Sequence, residues 1–151
     1  MKHQSISEAL HNSAVQQIAA GMFSFANGEV YPGHVNPTWA TYTNAPERTM
    51  PVEHRWEGTL WPDIVVVDTA AANRPRLIVE VETEESISEE TLDRKWKLDA
   101  DESSIYYLFV PSGTAFKTAE LLLKFRSVCK IPRLLYTYEF DELYRVHVTP
   151  V

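Results

Sequence analysis

Apolar residues recur at helical spacing at the start of the chain and change to alternation or short continuous runs after it. Ile6, Leu10, Ala14, Val15 and Ile18 share one face of a predicted helix over about residues 6–20, and Ser5-x-x-Glu8 is a capping box at its start. Gly21 is the expected stop. Across 27–51 the pattern lapses. Pro32, Pro37, Pro46 and Pro51 alternate there with Tyr31, Trp39 and Tyr42, which predicts a long loop or short hairpins packed by their own aromatics. Residues 52–56 read as a short strand turning at Glu57-Gly58 into a strand over 59–68, whose run Ile64-Val65-Val66-Val67 suits burial on both faces. A strand over 76–83, a helix from Ser88 to about Leu98 and the apolar strand 105–110 follow. A helix over about 114–130 has Ala115, Ala119, Leu122, Leu123 and Phe125 on its apolar side, opposite Lys117, Glu120 and Lys124. Strands over 133–140 and 144–149 close the chain around Asp141-Glu142.

Strands separated by helices indicate α/β layering, with the 76–83 and 105–110 strands parallel through a crossover helix. At 151 residues one domain is expected, and four Trp, seven Tyr and six Phe supply a core without disulfides or structural metal. The single cysteine, Cys129, has no partner for a disulfide and reads as an inert thiol near a helix end. With no apolar run at the N-terminus, neither secretion nor membrane insertion is expected, and the cytoplasm is the predicted compartment. A formal charge of −7 opposes broad adhesion to nucleic acid, yet ten of the 21 acidic residues fall between Glu80 and Glu102, so local basic faces remain open. No phosphate-binding or dinucleotide-binding glycine motif and no serine-hydrolase elbow is present.

The stretch that changes the picture is Pro62-Asp63 followed, at position 79, by Val79-Glu80-Val81-Glu82-Thr83. Side chains alternate along a strand, so Glu80 and Glu82 project on one face. If the strand after Asp63 pairs with this one, Asp63 approaches Glu80, and three carboxylates make a hard-oxygen site for Mg²⁺ or Mn²⁺. The plainer reading of the alternation is one solvated strand face.

These residues resemble the PD-(D/E)xK nuclease superfamily. The likeness runs from the first helix to about Pro111. It implies a restriction-endonuclease-like mixed central sheet flanked by helices, in one domain over 1–151 with a Pro- and aromatic-rich loop or insertion at 27–51. It also implies metal-dependent hydrolysis of DNA, with Asp63, Glu80 and the backbone carbonyl of Val81 as metal ligands. Glu8 resembles the extra helical acid of some members. Glu82 stands where the family has lysine; some members carry Glu there, as ligand or water-positioning base, and Lys95 or Lys97 on the next helix is then the charge donor, with Lys97 the chosen candidate. A small chain of this family is expected to grip DNA as a homodimer or within a larger complex. The alternative is a catalytically silent module on the same fold, for interaction or assembly.

Other residues have simpler roles. Glu8 serves the capping box, Asp93 and Lys97 form an i,i+4 pair, and Trp96 with Leu92 belongs to the core. His54 is close enough in sequence to Pro62-Asp63 to be a general base, although a lone histidine is usually structural. The 27–51 aromatics are a candidate stacking surface for bases, beside the more ordinary role of packing their own loop.

Overall fold

A computed structural model describes residues 5–25, 38–126 and 133–151. Cys129, the last predicted turn of the 114–130 helix and the stretch 26–37 lie outside them. Helix α1 (Ile6–Met22) begins as the capping box requires, with the Ser5 hydroxyl accepting from the Glu8 N–H at 3.0 Å. It runs past Gly21 and buries Ala14, Val15, Ile18 and Ala19.

The main sheet has six strands in the order β1 (Trp39–Thr43), β4 (Ile64–Asp68), β5 (Arg74–Val81), β6 (Ile105–Pro111), β7 (Arg133–Phe140) and β8 (Val146–Pro150). β4 runs antiparallel to β1 and β5; β6 is parallel to β5 and to β7; β8 turns back antiparallel on β7. The architecture is thus mixed α/β, with the predicted parallel pair in place. A separate hairpin joins β2 (Val52–His54) to β3 (Gly58–Leu60), with Gly58 at φ 89°. The 59–68 stretch expected as one strand is therefore split between two sheets, with Trp61-Pro62 between them.

The 27–51 reading is corrected in its described part. Trp39–Thr43 is an edge strand of the main sheet, consistent with its aromatic and β-branched composition, and Trp39 packs its ring 5.3 Å from that of Phe25.

β4 is covered on both faces, as expected of Ile64-Val65-Val66-Val67. Ile64 and Val66 join Leu77, Val79, Val81 and Phe109 beneath α1. Val65, Val67 and Ile78 join Leu92, Trp96, Ala100 and Tyr106 on the other face. That second layer comes from α2 (Glu89–Thr91), a π-helical turn (Leu92–Trp96) and α3 (Lys97–Asp101), which carry the chain from β5 to β6. Helix α4 (Ala115–Arg126) links β6 to β7. It turns Thr118 inward and leaves Ala119 exposed and Leu123 65% exposed, so its predicted apolar side is rotated.

Candidate active site

β4 starts and β5 ends at the same edge of the molecule because the two are antiparallel. With Ile64 opposite Val79, Asp63 falls beside Glu80 and Val81. Asp63 is locked there from both sides. Its N–H donates to Glu80 Oε1 at 3.2 Å, and its Oδ2 accepts the Val81 N–H at 2.8 Å. Buried Asn44 fixes the preceding residue by donating to the Pro62 carbonyl at 2.7 Å.

Glu80 and Glu82 leave β5 on the face covered by the π-turn and α3, and both are buried. Glu82 is fully engaged. The Ser86 hydroxyl donates to its Oε1 at 2.7 Å, the Trp96 indole donates to its Oε2 at 2.8 Å, and the Lys95 ammonium lies 2.9 Å from each oxygen. Burial opposes the charge of Lys95, but Glu80, Glu82 and Asp63 outweigh it and raise the ammonium's pKa above the ordinary lysine range. Lys95 therefore stays a fixed cation.

Lys97, the candidate taken from the sequence, is not brought there. It pairs with Asp93 at 2.8 Å, the i,i+4 contact legible in the sequence, and that contact draws it away from Glu82. The π-turn is the reason. The Lys97 N–H bonds the Leu92 carbonyl five residues back, so the turn holds an extra residue and presents Lys95 beside Trp96 to the strand.

Two residues enter that sequence reasoning passed over. The Nε2 of His11, on α1, lies 3.2 Å from Asp63 Oδ2 and 2.9 Å from the Val81 carbonyl. Both partners are acceptors, so this nitrogen carries a proton shared between them. The Asp63 hydrogen bond, working against burial, raises the imidazole's pKa. The available signal was its place one turn after Glu8. Asp99, on α3, is buried against Glu80 and accepts from the Tyr106 hydroxyl at 3.1 Å. Burial above all, then the charge of Asp99, pushes the Glu80 carboxyl well above the usual range; burial pushes Asp99 up to about 6.

Asp63, Val81, Glu82, Lys95, His11 and Glu8 line one cavity of about 280 Å³. Glu80 lies outside that lining and faces Asp99. The convergence of three carboxylates expected from the sequence is therefore not present: among the described residues no group of three or more His, Cys, Asp or Glu side chains is placed to hold a metal. What does converge is a pair of oxygens, Asp63 Oδ2 and the Val81 carbonyl, on the single point held by His11 Nε2.

His54 is structural. Its Nδ1 accepts the N–H groups of Trp56 and Glu57, and its Nε2 donates to Asp101 Oδ2 at 2.8 Å, tying the β2–β3 hairpin to α3. No helix among the described residues is long and apolar enough to cross a membrane. No protein-family model, curated protein or solved structure matches the chain.

Proposed function

We propose that the protein is a metal-dependent phosphodiesterase acting on DNA, built on a restriction-endonuclease-like sheet. The observation that carries this reading is Lys95. Its ammonium, clamped 2.9 Å from both oxygens of Glu82, restores from a helix the cation that the strand motif lacks, in the same cavity as Asp63 and the Val81 carbonyl. Element order and strand directions support it: helix α1, three antiparallel strands, a crossover and a parallel strand place Asp63 and Glu80 at one end of adjacent strands.

The donor chemistry suits a hard divalent ion such as Mg²⁺ or Mn²⁺, since two oxygens already aim at one point. Asp63 and the Val81 carbonyl would hold it once the His11 N–H they share gives way, and Glu80 would join them only by turning from Asp99. The ion would supply Lewis-acid polarisation of the phosphoryl oxygen and an activated water. The chain's own groups do the rest. Lys95 offers fixed positive charge to the negative charge that develops on phosphorus oxygens. Glu82, with every oxygen engaged, acts as the clamp that positions Lys95 rather than as a base. Buried Trp96 and half-buried Ser86 hold the clamp.

The silent-module reading is favoured by one observation, that Glu80 faces Asp99 instead of the cavity. Calorimetric Mn²⁺ titration and cleavage of single-stranded and duplex DNA decide between the two. Binding and cleavage that Asp63→Asn abolishes support the enzyme. A folded parent that neither binds Mn²⁺ nor cleaves either DNA form overturns it.

A further inference from the structure

A second cavity, of about 300 Å³, shares Ser7, His11 and Thr83 with the first, so the two adjoin across these residues. Their linings differ in kind. The first presents Asp63 and Lys95. The second is walled by Leu10, Pro111, Tyr138 and Phe140, with exposed Glu84 and Glu139 in its lining and no lysine or arginine. Its aromatic wall is preformed: the Tyr138 hydroxyl donates to the Glu82 carbonyl at 2.6 Å, and the Tyr138 and Phe140 rings meet edge to face at 6.1 Å.

A phosphate would meet two carboxylates there and no lysine or arginine; His11, the basic group in the lining, is already bonded to Asp63 and the Val81 carbonyl. A nucleobase gains from the same surfaces, because its flat apolar faces pack on aromatic and aliphatic walls and its amino groups find acceptors in carboxylates. A base still stacked and paired in a duplex has its flat faces covered by its neighbours and cannot offer them to this aromatic wall without leaving the stack. We infer that this second cavity holds an unpaired nucleobase next to the phosphate placed over Lys95, which makes single-stranded or locally unpaired DNA the substrate class. The inference rests on the phosphodiesterase proposed above.

Fluorescence anisotropy tests it, with Ca²⁺ in place of Mn²⁺ to limit cleavage. The probes are a labelled single strand, the same strand with one abasic site placed at successive positions, and the blunt duplex. The single strand is expected to bind about tenfold more tightly than the duplex, with a similar loss for the best-placed abasic site or for Phe140→Ala. The two losses combined should not exceed either alone, which a general unfolding of the variant would not produce. Equal binding of duplex and single strand, or indifference of the parent to every abasic position, overturns the inference. Cleavage in Mn²⁺ without base dependence overturns it too and spares the phosphodiesterase; base-dependent binding without any cleavage supports the base cavity and overturns the phosphodiesterase.

Discussion

At the scale of single residues the site turns on which lysine points inward. Lys95→Ala should lower Mn²⁺-dependent DNA cleavage by about 100-fold or more, the loss typical of removing one preorganised charge donor, whereas Lys97→Ala should leave the rate within about twofold. Single-turnover cleavage assays of both variants check this, and equal losses would refute the assignment. The approach of Asp63 to Glu80 was legible because strand alternation and one antiparallel pairing suffice for it, whereas Val81 entered only through the family resemblance and the turn of Glu80 toward Asp99 was not legible. Lys95 was legible only as one of two candidates, and the choice fell on Lys97 because a helical period of 3.6 cannot anticipate the extra residue that the Leu92–Trp96 turn contains. Asp99 gives a second test. Its carboxyl, at about 6 in the fold against 3.8 ordinarily, stabilises the protein fully below pH 3.8, and that contribution is lost as pH rises through about 6. Asp99→Asn has no such proton to lose and keeps both a donor and an acceptor. The melting temperature of the metal-free variant should therefore gain on that of the parent between pH 4 and pH 6.5; a constant offset would refute the shift.

At the scale of elements, the helix that covers one face of the sheet also delivers His11 to the site, so its cap has two consequences. Ser5→Ala removes the acceptor of the Glu8 N–H and should cost about 1 kcal/mol, read as a lower urea midpoint with an unchanged slope. Fraying of the first turn would loosen Ser7 and Glu8, which line the ionic cavity. This helix, β4, β5 and β6 were all readable from period and capping. Other elements were less so for identifiable reasons. β1 is hidden among prolines and becomes a strand by pairing Trp39–Thr43 with β4, a long-range contact that no local pattern encodes. The face of α4 was misread because Thr118 and Thr114 are the buried residues at its start, while apolar Leu123 and Phe116 stay outside. Thr118 manages burial by donating its hydroxyl to the Thr114 carbonyl at 2.9 Å, a bond that composition alone does not announce.

At the scale of the whole molecule, the proposed function asks a chain of net charge −7 to hold a polyanion with few cations, and this sets the expected response of binding to salt. The ionic cavity offers Lys95 and His11, and the adjoining apolar cavity adds carboxylates. Binding of a single strand should thus neutralise only one or two phosphates, giving a slope of about −0.7 to −1.4 in log affinity against log salt. Much of the affinity must then come from base packing, which salt screens little. Arg48 stacks 5.0 Å over Trp61, just before Asp63 in the chain, and Arg55 stacks 5.5 Å over the exposed Trp56 at the hairpin. If the strand also lay across this hairpin, the two guanidinium groups would steepen the slope toward about −3. Arg55 is already bonded to Glu102 at 3.1 Å and would have to leave it, so the shallow slope is the expected result. Anisotropy titrations over a range of salt concentrations measure it directly. A steep slope that falls on Arg48→Ala would move the main binding surface from the aromatic cavity to the hairpin.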